Sequence, residues 1–119
     1  MEKISNKSLG WMAEAIKDKN ITSQQLVKYH LDRIDDINSC LNAVVQVAKE
    51  RALNEAEMAD EKLVQGEVWG PLHGVPVTIK DSIDTAEIIT TGGTEGREFF
   101  VPDREIGRAS CRERVYTKV

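Results

Sequence analysis

The sequence predicts an α/β protein, because three stretches with helical periodicity precede a strand pattern and loops that contain glycine. Apolar residues recur at intervals of three and four up to residue 65, whereas turn residues and β-branched residues dominate from residue 69 onwards. At 119 residues the chain can form one small domain with a modest core. We therefore expect N-terminal helices followed by the first strands of a sheet that is truncated.

The first two helices are predicted from their apolar faces and their start signals. Either Ser5 or Ser8 can cap the first helix, and Thr22 with Gln25 fits a capping box for the second. Residues 38–39 are the expected end of the second helix. The apolar positions are Leu9, Met12, Ala13 and Ile16 in the first helix and Leu26, Val27, Leu31, Ile34 and Ile37 in the second.

A third helix is predicted from about Val44 to Gln65, with Gly66 as its C-cap. Its inner face is made mostly of small residues, which favours close packing against another element. Those positions are Ala48, Ala52, Ala56, Ala59 and Leu63. Its outer face is acidic, and we expect it to be solvated. The acidic residues are Glu50, Glu55, Glu57, Asp60 and Glu61.

Two short runs after the helices have the composition of strands. Val75–Ile79 follows turn residues and alternates, and Pro76 places it at a strand's beginning or on an edge because proline lacks an N–H. A second apolar run, residues 88–90, leads into the loop at Gly92 and Gly93. That loop could cradle an anion, although a turn requirement explains the two glycines equally well.

The last fourteen residues differ in charge from the rest of the chain. Residues 106–119 contain four basic groups and one acidic group, whereas residues 1–105 contain 12 basic and 19 acidic groups. No helical or strand period is visible in this tail. Residues 106–115 resemble the translated read-through of a common short-read sequencing adaptor, so we expect a non-native tail. An Arg-rich surface tail is the alternative.

Composition makes several classes of function poor candidates. A net charge of −4 and 5% aromatic residues argue against a nucleic-acid partner. Cys40 and Cys111 are too few for a disulfide framework and lack metal-ligand spacing, so no metal is expected, and Cys40 is expected to pack as a small apolar residue. No signal sequence or apolar run of membrane-spanning length is present, which predicts a cytoplasmic protein with no membrane association.

Lys80, at the end of the predicted strand, is the candidate catalytic residue. Alternation places Lys80 opposite Ile79 and directs Asp81 away from it. A lysine drawn into a desolvated cleft can act as a base at neutral pH. Composition alone predicts that the Lys80 side chain is a solvated charge. It also predicts that His73 packs within the turn before the strand.

The run from Gly70 to Asp81, GPLHGVPVTIKD, resembles the lysine-bearing segment of the amidase signature family. The resemblance extends over nearly everything before residue 106. Its other segments are Thr22-Ser23, Arg33-Ile34, residues 41–43, residues 90–94 and residues 101–104. It implies that residues 1–105 are the N-terminal part of an amidase-signature domain with a mixed sheet.

The resemblance also implies a reaction, which is amide hydrolysis by a Ser–cis-Ser–Lys triad without a cofactor. Lys80 matches the triad lysine, and Thr91, Gly92 and Gly93 match a loop that lines the active-site region. The two serines belong to a serine- and glycine-rich signature further downstream. Ser82 and Ser110 do not match it, so we expect the chain to be inactive, and to be partly folded or prone to aggregation.

Three functions remain open at this point. The first is an amidase that acts on a small-molecule amide, with substrate and oligomeric state undefined. The second is the glutaminase subunit of a tRNA-dependent amidotransferase, which ranks lower because a Thr-Cys-Ala-Ser-like segment is usual there in place of residues 91–94. The third is a truncated, non-catalytic binding module that presents the acidic helix as its interaction surface.

Overall fold

The computed structural model describes residues 4–103 and the backbone of residues 114–118. Three helices precede a pair of strands, as the α/β prediction requires. They are α1 (Leu9–Lys17), α2 (Ser23–Leu41), α3 (Lys49–Val64), β1 (Val75–Ile79) and β2 (Arg114–Lys118). Short 3-10 turns occupy Ile4–Asn6 and Glu95–Arg97.

The starts of α1 and α2 carry the predicted caps. The Ser8 side chain accepts a hydrogen bond from the Trp11 N–H and caps α1. At α2, the Gln25 N–H donates to the Thr22 hydroxyl and the Thr22 N–H donates to the Gln25 side chain, each at 3.0 Å. The capping box read from the sequence is therefore confirmed.

The end of α2 lies beyond the predicted stop at residues 38–39. The helix continues to Leu41, and Asn42 closes it in the left-handed conformation at φ 48°. The Asn38 side chain bonds both the N–H and the carbonyl of Val44, at 2.9 and 2.8 Å. Asn38 thus holds the chain that leaves the helix, and it does not stop the helix. Cys40 lies in this last turn and is exposed, so its expected packing as a small apolar residue was wrong.

Helix α3 begins later than predicted and ends where predicted. Residues 42–48 are not helical, since the β-branched Val44, Val45 and Val47 favour extended backbone. At the other end, the Gly66 N–H bonds the Leu63 carbonyl and the Glu67 N–H bonds the Lys62 carbonyl. With Gly66 at φ +80°, this pair of bonds is a Schellman motif.

Three of the five positions predicted for the inner face of α3 are buried, whereas Ala48 lies before the helix and Leu63 is half-buried. Ala52, Ala56 and Ala59 are all at most 1% exposed. The first two pack against Val27 and Leu31 of α2. A second cluster joins α1, α2 and the start of β1. Its members are Ile4, Ala15, Ile16, Ile21, Leu26 and Val75.

The N-terminus of α2 is bonded to both α3 and β1. The Ser23 and Gln24 N–H groups donate to the two oxygens of the Asp60 carboxylate, at 2.7 and 3.0 Å. The buried Ser23 hydroxyl donates to the Gly74 carbonyl at 2.5 Å. Asp60 therefore caps a neighbouring helix, and its predicted place on a solvated acidic face was wrong. Glu55 was also misplaced, because it is half-buried and paired with Arg51 at 2.8 Å.

Strand β1 has the bounds predicted from sequence, and it pairs in parallel with β2. In this register Val75 faces Arg114 and Ile79 faces Lys118. One edge of β1 is therefore paired, and the expectation that the tail has no strand period was wrong. An exposed strand edge accepts many β-competent segments, so the pairing is independent of the origin of residues 106–119.

Residues 88–90 do not form the expected second strand. Within residues 80–103, this run is held by isolated backbone bonds. The Glu87 N–H donates to the Pro102 carbonyl at 3.0 Å, and the Thr90 N–H donates to the Phe100 carbonyl at 2.9 Å. Ile88 is buried against Ile79, so the apolar pattern reflected burial beneath a loop.

Gly74→Ala should destabilise the fold by about 2 kcal/mol or more, because Gly74 is at φ +73° and a Cβ there would lie 2.9 Å from the Ser23 hydroxyl. Urea denaturation of the complete protein, followed by far-UV circular dichroism, measures the change. Gly10→Ala is the matched control, since its nearest neighbour would be 4.0 Å away and alanine suits the interior of α1. Equal denaturation midpoints for the two variants would contradict this packing.

His30 makes stability depend on pH. Burial, together with the nearby Arg33 guanidinium, lowers the pKa of His30 below its usual value of 6.5. Because the unfolded chain then binds this proton at a higher pH than the folded chain, stability should fall as pH drops through the unfolded value. Urea midpoints compared between about pH 7.5 and about pH 5.5 should fall less in His30→Gln than in the parent. An identical pH response in both proteins would show that His30 does not contribute.

Candidate active site

Lys80 lies immediately after β1, and its side chain is exposed. Its backbone is fixed on both sides, by the buried Ile79 before it and by the Ile83 N–H, which donates to the Lys80 carbonyl at 2.9 Å. Among the described residues, no hydrogen bond or ion pair engages the ammonium group. Within this part of the chain, the Lys80 amine therefore lies at the C-terminal end of β1 without a hydrogen-bond or ion-pair partner. No desolvated cleft surrounds it there.

Asp81 is hydrogen-bonded to the glycine loop. One carboxylate oxygen accepts the Thr91 N–H at 3.0 Å, and the other accepts the Thr91 hydroxyl. The Asp81 carbonyl also accepts the Gly92 N–H at 3.2 Å. These contacts place residues 91–93 beside the end of β1, so the structure brings the candidate residues Lys80, Thr91, Gly92 and Gly93 into one region.

The two glycines of the loop are explained by its turn. Gly92 and Gly93 have φ values of +59° and +75°, which glycine adopts without strain. Their N–H groups donate to the Asp81 carbonyl and the Thr91 hydroxyl respectively. Both donors are therefore used within the loop, which favours the turn explanation over an anion cradle.

Charged groups hold the segment that contains the loop. Arg97 pairs with Asp84 at 3.0 Å and lies over the Phe100 ring, 4.3 Å from its centroid. Arg51 of α3 donates to the Ala86 carbonyl at 2.8 Å. The bond from Arg51 ties residue 86 to the helical layer, and the Arg97–Asp84 pair joins two parts of the segment that contains the loop.

His73 has the packing role that composition favoured. It is buried, and its Nδ1 accepts the Trp69 N–H at 3.1 Å. Since Nδ1 is the acceptor, the ring proton lies on Nε2, which donates to the Ala59 carbonyl at 2.8 Å. Both ring nitrogens are used in holding the turn against α3.

No serine hydroxyl within residues 4–103 is hydrogen-bonded to Lys80. Ser82 is exposed in the turn after the strand, and Ser23 is buried against Gly74. Ser110 lies outside the described residues. The arrangement within the described part of the chain therefore supplies a candidate base without a nucleophile.

One groove among the described residues lies away from Lys80. It has a volume of about 400 Å³ and runs between α2 and β1. Leu31 and Ile34 contribute from the helix, and Pro76 and Val77 contribute from the strand. Neither Lys80 nor the loop at residues 91–93 lines it, so this groove does not mark the candidate site.

The described residues contain neither a membrane-spanning helix nor a cluster of metal ligands. None of their helices is both long enough and apolar enough to cross a lipid bilayer. Across the same residues, no three His, Cys, Asp or Glu side chains are grouped as ligands for a metal ion.

Solved structures with this architecture include enzymes that cleave amides. The peptide amidase of Stenotrophomonas maltophilia superimposes with a TM-score of 0.88 at 25% identity, over 98% of this chain and 25% of that one. A bacterial aryl acylamidase of the amidase signature family matches with a TM-score of 0.86 at 25% identity, over 94% of this chain and 24% of that one. The fold is that of amidase signature enzymes.

The sequence profile of the amidase family matches residues 25–106, which is more than half of the chain. The chain belongs to the amidase family. Among curated relatives, one subunit of the glutamyl-tRNA(Gln) amidotransferase of Carboxydothermus hydrogenoformans is 41% identical over 91 residues. The corresponding subunit from Geobacter sp. (strain M21) is 42% identical over 89 residues.

These two alignments cover 76% and 75% of this chain but only 19% and 18% of the relatives. The chain thus spans about a fifth of the length of the curated relatives that it matches.

Proposed function

We propose that this chain is the N-terminal part of an amide hydrolase in which Lys80 is the base of a Ser–cis-Ser–Lys triad. The observation that carries the proposal is the position of Lys80 at the end of β1, beside the loop at residues 91–93, in a chain of the amidase family. The substrate is a small-molecule amide, and the triad serines come from sequence that follows residue 105.

The proposed reaction uses Lys80 as a relay base. Its neutral amine takes a proton from a bridging serine, which in turn deprotonates a second serine as that serine attacks the amide carbonyl. Backbone N–H groups stabilise the oxyanion, the amine leaves, and water releases the acid from the acyl-enzyme. Residues that follow later in the sequence would have to cover Lys80, because a lysine in a desolvated cleft can act as a base at neutral pH.

The extent of the sequence match supports a boundary near residue 105. The family profile ends at residue 106, where the charge balance changes and the adaptor-like run begins. We propose that residues 1–105 are native and that residues 106–119 are not. The exposed apolar side chains of residues 99–101 suit a domain whose remaining sequence is absent.

A second candidate is the glutaminase subunit of a tRNA-dependent amidotransferase. The curated relatives at 41% and 42% identity belong to amidotransferases, whereas the solved amidases are 25% identical, so identity favours this candidate. The loop sequence favours the amidase, since Thr91-Gly92-Gly93-Thr94 lacks the cysteine usual in the glutaminase subunits. Hydrolysis of a simple aryl amide by the complete protein without other subunits would favour the amidase.

In the complete protein, Lys80→Ala should lower kcat/KM for a simple aryl amide by about 100- to 10,000-fold, since a positioned general base contributes rate of that order. Lys28→Ala is the matched control, because Lys28 is also an exposed lysine and its i,i+4 pair with Asp32 is on the surface of α2. Rates and melting temperatures measured on both variants separate lost catalysis from lost folding.

Near-normal activity in a folded Lys80→Ala variant would show that the lysine was misassigned. The 119-residue chain serves as the negative control and should show no measurable amide hydrolysis, because it lacks the triad serines. A cooperative thermal transition together with hydrolysis by this chain would contradict the proposal that the nucleophile lies downstream.

A further inference from the structure

The carboxylate of Asp81 holds the glycine loop through Thr91. Its two oxygens accept the Thr91 N–H at 3.0 Å and the Thr91 hydroxyl. The same hydroxyl accepts the Gly93 N–H at 3.1 Å, so its proton must point to the carboxylate. We call the contacts between Asp81 and Thr91 the Asp81–Thr91 clamp.

We propose that Asp81 is a positioning residue, whose clamp on Thr91 fixes the loop against the end of β1 and keeps the carboxylate away from Lys80. The proposal rests on the proposed function, because it concerns how Lys80 is made available as a base. It adds a role for Asp81, which sequence reasoning treated only as a neighbour that had to point elsewhere.

The clamp fixes the backbone of Lys80 indirectly. Lys80 and Asp81 share a peptide bond, and the Asp81 carbonyl accepts the Gly92 N–H at 3.2 Å in addition to the side-chain bonds. Hydrogen bonds to a carboxylate are about twice as strong as those between neutral groups. The direction of the chain leaving β1 is therefore set by bonds from Asp81 to residues 91–92.

The clamp also has an electrostatic consequence for the adjacent lysine. A free carboxylate next to Lys80 would favour the protonated ammonium, which cannot act as a base. In the described part of the chain, the carboxylate is held by Thr91, and no ion pair joins it to Lys80. Removing the Thr91 hydroxyl takes away one of the bonds that hold the Asp81 carboxylate and should let the carboxylate approach the ammonium group.

The test compares Thr91→Val, Thr91→Ser and Asp81→Asn in the complete protein. Thr91→Val has nearly the same shape as threonine but no hydroxyl, and it should lower kcat by about 100-fold with KM changed by less than about threefold. Its pH–rate profile should also shift to higher pH, because a carboxylate held by one bond fewer can approach Lys80 and stabilise the protonated lysine. Thr91→Ser restores the hydroxyl, so kcat and the profile should return close to those of the parent.

Asp81→Asn separates the two roles of the clamp. It should lower kcat without moving the pH–rate profile to higher pH. The double variant Asp81→Asn/Thr91→Val should not show the pH shift expected for Thr91→Val alone. Ser82→Ala is the control, since Ser82 is exposed in the same turn and is not a member of the clamp. Melting temperatures show whether each variant is folded.

The outcomes that overturn the proposal differ from those that overturn the proposed function. Normal kcat and an unshifted pH–rate profile in Thr91→Val would overturn the proposed role of the clamp. If Lys80→Ala were inactive in the same experiment, the proposed function would still stand. Equal losses in Thr91→Ser and Thr91→Val would mean that the loop needs threonine for its packing, which also rejects the clamp. Activity in Lys80→Ala would reject the assignment of the base itself.

Discussion

The described structure depends on the hydrogen bonds made at the N-terminus of α2. The four N–H groups that a helix start leaves without helical partners are all satisfied by side-chain oxygens. Gln25 and Thr22 satisfy two of them through the capping box, and Asp60 of α3 satisfies those of Ser23 and Gln24. The negative charge of Asp60 also matches the positive end of the helix dipole. One helix terminus thereby fixes the orientation of α2 relative to α3.

The N-terminus of α2 also determines where β1 begins. Ser23 donates to the Gly74 carbonyl, and the close approach leaves no room for a side chain at Gly74. His73 adds a second link, from the turn before β1 to the Ala59 carbonyl. The strand therefore leaves the helical layer at a defined position, and Lys80 comes directly after its last residue. The location of the candidate base is a consequence of packing at the other end of its strand.

Much of this was predictable from the sequence, because the signals were local. The capping box, the alanine face of α3, the bounds of β1 and the glycine stop all depend on residues within a few positions of one another. Asp60 could not be assigned, since its partners are 36 and 37 residues away. One clue was that Asp60 follows the buried Ala56 by four residues, which places it beside the inner face. The run at residues 88–90 was misread as a strand because a short apolar segment beneath a loop has the same composition.

The candidate site was predictable only in part, for the same reason. The family motif identifies Lys80, and alternation directs Asp81 away from it. The clamp on Thr91 joins residues ten apart through a loop of irregular backbone, which no periodic pattern reveals. The parallel partner of β1 comes from residues 114–118, and parallel strands are joined by long connections that local signals do not specify.

The central claim is that the chain carries the base of an amide hydrolase whose nucleophile is encoded further along the gene. Long-read sequencing of the source DNA past the codon for Asp103 tests it most directly. The account predicts an uninterrupted reading frame that departs from residues 106–119 and continues into a serine- and glycine-rich segment containing two serines of the triad. A native stop codon close to Arg104, or a native frame that reads through IGRASCRERV without such a segment, would contradict it.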